Sequence, residues 1–210
     1  KRRNDNIIEI NGVNNLKGFS HAVMPDRIEA GTYAMAAVIT AGNIQLLNAD
    51  KKYLKNVLLY LNKVGAKFEY DRDGIIVQGP KIINNVNIKT EVYPGFPTDL
   101  QAQAMALMVV AEGSSVIEES IFENRFMHIA ELVRFGAKIK NTGFKAYIEG
   151  CNKLNAAQVM ATDLRASSSL ILAGLKAEGE TIINRVYHLD RGYEDLEKKL
   201  SNCGANIRRI

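Results

Sequence analysis

The amino-acid sequence predicts a mixed α/β (α+β) protein built from three copies of one unit, each with the element order β-α-β-α-β-β. Two sets of glycines recur at matching intervals, and three alanine-rich segments are apolar on nearly every side. Recurrence at a fixed period indicates a repeat architecture. Three inner helices surrounded by three sheets would form one globe with pseudo-threefold symmetry.

The first set of glycines is predicted to end an amphipathic helix in each unit. Gly65, Gly136 and Gly204 are each followed by Ala and then by Lys or Asn, roughly 70 residues apart. Glycine commonly ends a helix because it adopts the left-handed conformation at little cost. A second set lies roughly 24 residues before the first and closes an alanine-rich helix; its members are Gly42, Gly113 and Gly179.

The first helix of each unit is predicted to be buried. The segments 34–39, 104–110 and 170–175 are apolar on almost all sides, and such helices pack inside a protein. The second helix of each unit has one polar face, so it should lie nearer water. The units span about 25–79, 80–150 and 151–210, and residues 1–24 precede them.

Composition limits the class of protein. The 210 residues are 47% hydrophobic and 24% charged, which is typical of a globular protein, and no apolar run approaches the ~20 residues that span a bilayer. The N-terminal residues lack the apolar run of a signal peptide, so a cytoplasmic protein is expected. Cys151 and Cys203 lack zinc-ligand or disulfide spacing and are interpreted as ordinary thiols. The histidines have no nucleophile pattern around them, which favours packing or hydrogen-bonding roles over catalysis.

The net charge of +4 raises the question of an anionic partner. The basic clusters 1–3 and 208–209 lie at opposite ends of the chain, and no aromatic-rich RNA-binding signature lies between them. Nucleic acid is therefore not expected. A small anionic substrate is the other use of surplus arginine.

Four arginines lie where helices are predicted to start, namely Arg27, Arg125, Arg165 and Arg191. A cation at a helix start opposes the helix dipole, which costs a few tenths of a kcal/mol unless an anion or carboxylate compensates. Guanidinium groups bind phosphate and carboxylate with two parallel hydrogen bonds. The arginines therefore indicate an anion-binding site.

The acidic residues at the same turns have a structural interpretation as well. Thr98 with Gln101 fits a capping box, and Asp99 in the first helical turn is favoured by the dipole. Asp163 could pair with Arg165. On these features alone, a structural role for Asp99 is favoured over a chemical one.

Five motifs together resemble the signatures of the bacterial UDP-N-acetylglucosamine enolpyruvyl transferases, also called 1-carboxyvinyltransferases. They are PDRIEAGT (25–32), FPTDLQAQ (96–103), FENRFMH (122–128), ATDLRAS (161–167) and DRGYE (190–194). The resemblance covers the chain from about residue 7 to residue 210. The sister enzymes that act on shikimate 3-phosphate share the architecture but not this set of motifs.

The resemblance implies an inside-out α/β barrel globe of the enolpyruvyl transferase type. The full enzymes have two such globes with the substrates between them, and this sequence matches the second, C-terminal half. Residues 25–210 would form the globe that carries the catalytic base, and residues 1–24 would end the other globe. We hypothesise that 7–23 fold back into the strand position that the absent N-terminal half otherwise fills.

The resemblance also implies an activity, the first committed step of peptidoglycan synthesis in cell-wall biogenesis. The sugar 3′-hydroxyl adds to C2 of phosphoenolpyruvate, and phosphate leaves through a tetrahedral intermediate. The implied partners are the two substrates and the missing N-terminal half, with no metal, organic cofactor, nucleic acid or membrane. Alone, the chain would be inactive, because half of the cleft is absent. A shikimate-type transferase and a non-catalytic UDP-sugar-binding module of the same fold remain the alternatives.

The resemblance assigns roles to individual residues. Asp99 matches the general base that contacts the 3′-hydroxyl. The UDP-sugar side is matched by Thr98, Asp99 and Ile121. The phosphoenolpyruvate side is matched by Arg125, Arg191, Asp163, Leu164 and Arg165, with Arg27 as a further possibility. The loop cysteine that donates a proton and reacts with fosfomycin belongs to the other half, and neither Cys151 nor Cys203 matches it.

Overall fold

A computed structural model of the chain describes residues 1–4 and 7–210. Its helices and strands follow one another in the order β1 (Arg2–Asn4), β2 (Ile7–Ile8), α1 (Arg27–Ile39), β3 (Asn43–Leu47), α2 (Lys51–Val64), β4 (Lys67–Tyr70), β5 (Gly74–Gln78), β6 (Ile88–Lys89), α3 (Gln101–Val109), β7 (Ser114–Glu118), α4 (His128–Arg134), β8 (Lys138–Thr142), β9 (Lys145–Glu149), β10 (Gln158–Met160), α5 (Leu164–Lys176), β11 (Ile182–Asn184) and α6 (Leu196–Asn202). Two 3₁₀ turns, Thr98–Leu100 and Val186–Arg191, precede α3 and α6.

The core lies between α1, α3 and α5, which pack against one another. Every residue of α3 is buried, and α1 and α5 bury most of theirs. Small side chains such as Ala104 and Ala106 allow the helix backbones to approach closely. The larger side chains of Met105 and Leu107 fill the space between the helices. The prediction of three buried inner helices is therefore confirmed.

A small polar cluster lies within this apolar core. The hydroxyl groups of Thr32 and Tyr193 are 2.8 Å apart, and Gln103 Nε2 donates to both, at 3.1 and 3.3 Å. All three side chains are buried. The Thr32–Gln103–Tyr193 cluster thus joins α1, α3 and the segment before α6 by hydrogen bonds.

Three sheets surround the inner helices, in the strand orders β3-β5-β4, β6-β7-β9-β8 and β10-β11. The leading strand pairs in parallel with the next one in two units, β6 with β7 and β10 with β11, and the hairpins are antiparallel. The second unit has the full β-α-β-α-β-β order. Within the described chain, the first unit lacks its leading strand and the third lacks its closing hairpin, so the prediction of three complete copies is wrong. Residues 203–210, where the third hairpin would begin, contain neither helix nor strand.

The three outer helices end in the same way. Gly65, Gly136 and Gly204 have φ values of 113°, 93° and 96°, in the left-handed region where an L side chain is strained. The alanine after each glycine donates its N–H to a carbonyl five residues earlier, at 2.9, 3.3 and 3.0 Å. This bond closes a Schellman-type helix end and confirms the sequence repeat.

The N-terminal segment corrects the fold-back hypothesis. Among the residues that the structure describes, β1 pairs with β2 and with no other strand, and residues 9–24 contain neither helix nor strand. Leu16, Phe19 and Val23 are 92%, 88% and 85% exposed, so they do not join the core. The physical reason is the local sequence, because Gly and Asn residues at 11–15 and 18 interrupt the alternation that a buried strand needs.

We expect Gly136→Ala to lower the free energy of unfolding by about 1–2 kcal/mol, the cost of a left-handed L residue. Space is not the cause, since an added Cβ would meet only Asn155 Nδ2 at 3.5 Å. Gly174→Ala, inside α5, is the matched control and should raise the free energy of unfolding by about 0.5–1 kcal/mol. Chemical denaturation measures both, and equal effects of the two substitutions would contradict the assigned helix end.

Candidate functional site

The turn at Pro97-Thr98-Asp99 opens α3 through a 3₁₀ turn. Its entry is anchored by Phe96, which is buried and packs edge-on against Tyr60 with ring centroids 5.1 Å apart. The predicted capping box is absent from this turn. Thr98 donates its hydroxyl proton to Glu119 Oε2 at 2.8 Å, and the Gln101 side-chain amide is buried without a partner among residues 1–4 and 7–210. A long-range acceptor therefore replaces the local cap.

Asp99 holds two arginines with one oxygen. Arg125 Nη2 lies 3.0 Å from Asp99 Oδ1, and Arg165 Nε lies 3.2 Å from the same atom. The side chains of Asp99, Arg125 and Arg165 are 36%, 24% and 22% exposed, so the group is open to solvent on one side. Oδ2 has no hydrogen-bond partner within the part of the chain that the structure describes. One carboxylate oxygen thus remains available to a ligand.

Different elements deliver the two arginines. Arg125 comes from the loop between β7 and α4, where its guanidinium lies 4.8 Å from the centroid of the Phe122 ring. Arg165 lies in the first turn of α5, which Asp163 caps by accepting from the backbone N–H groups of Arg165 and Ala166 at 2.7 and 2.9 Å. The Asp163 carboxylate therefore binds backbone N–H groups at the start of α5 and does not pair with the Arg165 guanidinium.

The remaining predicted residues lie around this group rather than in it. Ile121 is 38% exposed on the loop that also carries Arg125. Leu164 packs against Gly192, next to Arg191 in the chain, where an added Cβ would come within 2.8 Å of Leu164 Cδ2. Arg191 is exposed and makes no ion pair within the described residues. The structure thus joins Thr98, Asp99, Arg125 and Arg165 directly.

Arg27 is held away from the carboxylate of Asp99. Its guanidinium lies 5.3 Å from the centroid of the Tyr93 ring, at the start of α1. An arginine held over an aromatic face gains a cation–π contact. Arg27 therefore lies beside Tyr93. In the described structure its side chain makes no hydrogen bond to Thr98, Asp99, Arg125 or Arg165, which together are called the Asp99 group.

His128 lies behind the arginines at the start of α4. It is 3% exposed, and burial lowers its pKa to about 4, with Arg125 lowering it further and Asp163 opposing the shift. The imidazole is thus neutral near pH 7. Its Nε2 has no hydrogen-bond partner among the residues described. These features fit the packing role that the sequence favours.

Sequence reasoning missed Glu119. This side chain is 1% exposed and accepts the Thr98 hydroxyl proton, whereas its neighbour Glu118 forms surface ion pairs with Lys89 and Lys145. Two consecutive acids at the end of a predicted strand look like a solvated pair. The alternation of side chains along a strand was the available signal, since it directs one of the two inward.

Two features are absent from the residues that the structure describes. No helix in them is long and apolar enough to cross a membrane. They also contain no group of three or more His, Cys, Asp or Glu side chains arranged to hold a metal ion. Cys151 is half-buried and Cys203 is exposed, and both are free thiols.

Comparison with protein families shows a match over most of the chain. The model of the EPSP synthase (3-phosphoshikimate 1-carboxyvinyltransferase) family matches residues 1–200. This range includes α1, α3 and α5, together with every residue of the Asp99 group. The match therefore concerns the site as well as the scaffold.

Curated relatives are similar over nearly all of the chain. A UDP-N-acetylglucosamine 1-carboxyvinyltransferase from Pelagibacter ubique is 58% identical over 203 residues, which are 97% of this chain and 49% of the relative. Proteins of the same name from Granulibacter bethesdensis and Rhodopseudomonas palustris are 55% and 56% identical over 97% of the chain and 48% of each relative. The chain thus spans about half the length of the curated relatives that it matches.

Solved structures show the same fold. The enolpyruvyl transferase NikO from Streptomyces tendae superposes with a TM-score of 0.78 and 27% identity, over 89% of this chain and 44% of that chain. EPSP synthase from Acinetobacter baumannii superposes with a TM-score of 0.58 and 20% identity, over 78% and 39%. The second likeness concerns the fold alone.

We expect His128 to make stability depend on pH. Because its folded pKa of about 4 lies below its ordinary value of 6.5, the unfolded chain binds the proton first, so stability is lost as the pH falls through this range. Between about pH 7.5 and pH 5 the loss from this residue is about 2 kcal/mol. Denaturation at both pH values should show a smaller loss for His128→Gln than for the parent chain. His21→Gln, in the exposed N-terminal segment, is the control and should keep the parent's dependence.

Proposed function

This chain belongs to the EPSP synthase family, and we propose that it forms the C-terminal half of an enzyme that transfers the enolpyruvyl group of phosphoenolpyruvate to the 3′-hydroxyl of UDP-N-acetylglucosamine. The observation that carries the proposal is the Asp99 carboxylate, which shares one oxygen between Arg125 and Arg165 and leaves the other open. A base beside two anion-binding groups suits a reaction between an alcohol and a phosphate ester.

The residues divide the chemistry between them. Asp99 Oδ2 accepts the proton of the sugar hydroxyl while the oxygen adds to C2 of phosphoenolpyruvate, and a proton from outside this chain reaches C3. The tetrahedral intermediate then loses phosphate from C2 and a proton from C3, which returns to the group outside this chain that supplied it, and the double bond is restored. The proton that Asp99 accepted leaves with the phosphate. Arg125 and Arg165, with Arg191 nearby, offset the negative charge of the substrate carboxylate and phosphate. Thr98 and Ile121 line the nucleotide-sugar side, and Asp163 and Leu164 border the phosphoenolpyruvate side.

The ion pairs of Asp99 suggest how the substrate prepares its base. Asp99 pairs with the guanidinium groups of Arg125 and Arg165. A bound phosphate or carboxylate competes for the same donors, because bidentate guanidinium contacts favour both kinds of anion. As the arginines turn to the substrate, Asp99 loses charge compensation and becomes a better proton acceptor.

The UDP-sugar is favoured as acceptor over shikimate 3-phosphate. Relatives named for the UDP-sugar reaction are 55–58% identical to this chain, whereas the solved EPSP synthase is 20% identical. The family description, which names the shikimate enzyme, supports that acceptor as the second candidate. A cytoplasmic location and a role in peptidoglycan synthesis follow from the favoured reaction.

The activity can be tested in a chimera in which this chain replaces the matching half of the Pelagibacter ubique relative. We expect phosphate release from phosphoenolpyruvate with UDP-N-acetylglucosamine and none with shikimate 3-phosphate. Asp99→Asn should lower kcat by roughly 10²- to 10⁴-fold, because it removes the proton acceptor while keeping the shape. Asp195→Asn is the matched control, since this exposed carboxylate pairs with Lys198 at the start of α6.

Three results would contradict the proposal. The first is a folded chimera that releases phosphate with shikimate 3-phosphate and not with the UDP-sugar. The second is an Asp99→Asn chimera with the parent kcat. The third is phosphate release by the 210-residue chain alone, since the proposal requires the other half of the cleft.

A further inference from the structure

Glu119 is the buried acid closest to the Asp99 group. It directly follows β7, and its backbone N–H donates to Phe144 O at 2.8 Å, so the strand ladder extends to this residue. Glu118 faces the surface lysines, and strand alternation turns Glu119 toward the interior, where it is 1% exposed. A carboxylate there needs several donors, because an uncompensated buried charge is very costly.

Four donors meet this carboxylate. Oε1 accepts from Thr90 Oγ1 at 2.8 Å and from the backbone N–H groups of Ile121 and Phe122 at 2.9 and 3.2 Å. Oε2 accepts from Thr98 Oγ1 at 2.8 Å. None of the four is a cation, so Glu119 is held by hydroxyl and peptide dipoles. Three of these donors lie in two turns, 97–99 and 120–122, that both contribute predicted site residues, and the fourth, Thr90, directly follows β6.

The bond to Thr98 fixes the direction of the next one. A hydroxyl group has one proton to donate, and Thr98 donates it to Glu119, which leaves its lone pairs for Arg125 Nη1 at 2.9 Å. The other terminal nitrogen, Arg125 Nη2, then lies 3.0 Å from Asp99 Oδ1. A chain of hydrogen bonds therefore runs from Glu119 through Thr98 and Arg125 to Asp99.

The same carboxylate also holds the residue that makes another contact with Arg125. The guanidinium lies 4.8 Å from the centroid of the Phe122 ring, and Glu119 accepts a hydrogen bond from the Phe122 backbone N–H. Arg125 thus contacts the side chains of two residues, Thr98 and Phe122, that both donate hydrogen bonds to Glu119. Rotamer freedom of a long cationic side chain is reduced when both of its contacts are fixed in advance.

From this arrangement we infer that Glu119 is a positioning residue for the reaction: it sets the orientation of Arg125, and through Arg125 that of Asp99, while holding the Ile121 loop. It touches no substrate. The inference rests on the proposed function for its catalytic consequence, but the orientation of Arg125 is a property of the chain itself. A purely structural acid would support the fold without affecting Arg125.

The orientation can be tested in the 210-residue chain by ¹⁵N NMR of the arginine guanidinium groups, with Arg125→Lys to assign the Arg125 signals. A guanidinium held at both terminal nitrogens rotates slowly about Cζ–Nε and gives separate Nη resonances. We expect Glu119→Gln to merge these resonances, since the amide group presents a donor to Thr98 and disturbs its bond direction. Glu118→Gln, the adjacent surface acid, should leave them separate.

Thr98 supplies a second test if Glu119→Gln does not fold. Thr98→Ser keeps the hydroxyl group and should retain the separate Arg125 resonances, whereas Thr98→Val, of the same shape, should lose them. This rescue by serine would not arise if the site needed only the volume of the side chain. Separate resonances in both Glu119→Gln and Thr98→Val would overturn the inference, as would their loss in Thr98→Ser.

Kinetics in the chimera report the catalytic consequence. We expect Glu119→Gln to lower kcat/KM for phosphoenolpyruvate by roughly 10- to 100-fold through misplacement of Arg125, with Glu118→Gln equal to the parent. Merged resonances with unchanged kinetics would overturn the positioning role. A parent chimera without activity would instead count against the proposed function, and the NMR result would still decide the orientation of Arg125.

Discussion

The mutual burial of three apolar helices is the constraint on which the rest of this structure depends. Because α1, α3 and α5 hide one another, each can present only its ends and its outer side to the surrounding segments. The starts of α3 and α5 meet where Asp99 and Arg165 bond. Helix starts carry positive partial charge, so a core packed in this way also gathers polar backbone groups at one place. The gathering of polar and charged groups at this site is thus a consequence of how the core is filled.

The arginines at these starts are compatible with the fold because acids lie beside them. Arg125 and Arg165 oppose the dipoles of nearby helices, and Asp99 and the Asp163 cap offset that opposition. The compensation is only partial, since the group remains partly exposed and one Asp99 oxygen is unbonded in the described structure. A site that satisfied all of its charges internally would have little affinity for a substrate.

Local sequence signals predicted the features that local physics determines. The left-handed glycines marked three helix ends, and the apolar segments identified the buried helices, because both depend on a few consecutive residues. The motifs brought Thr98, Asp99, Arg125 and Arg165 together through their resemblance to a family. The bond from Thr98 to Glu119 joins residues that are far apart in the chain, so the nearer Gln101 was the natural but incorrect partner. The fold-back prediction for the N-terminal segment was wrong for a local reason, since apolar residues do not form a strand when Gly and Asn interrupt them.

The Thr32–Gln103–Tyr193 cluster has a consequence for how the repeats are told apart during folding. The three inner helices are all rich in alanine and apolar on most sides, so apolar burial does little to distinguish one from another. Only one arrangement brings a threonine of the first unit, a glutamine of the second and a tyrosine of the third within hydrogen-bonding distance. Any other arrangement would bury these groups without partners, at a cost of about 1–3 kcal/mol for each. The hydrogen bonds of the cluster thus favour the observed placement of the three units over other placements of their inner helices.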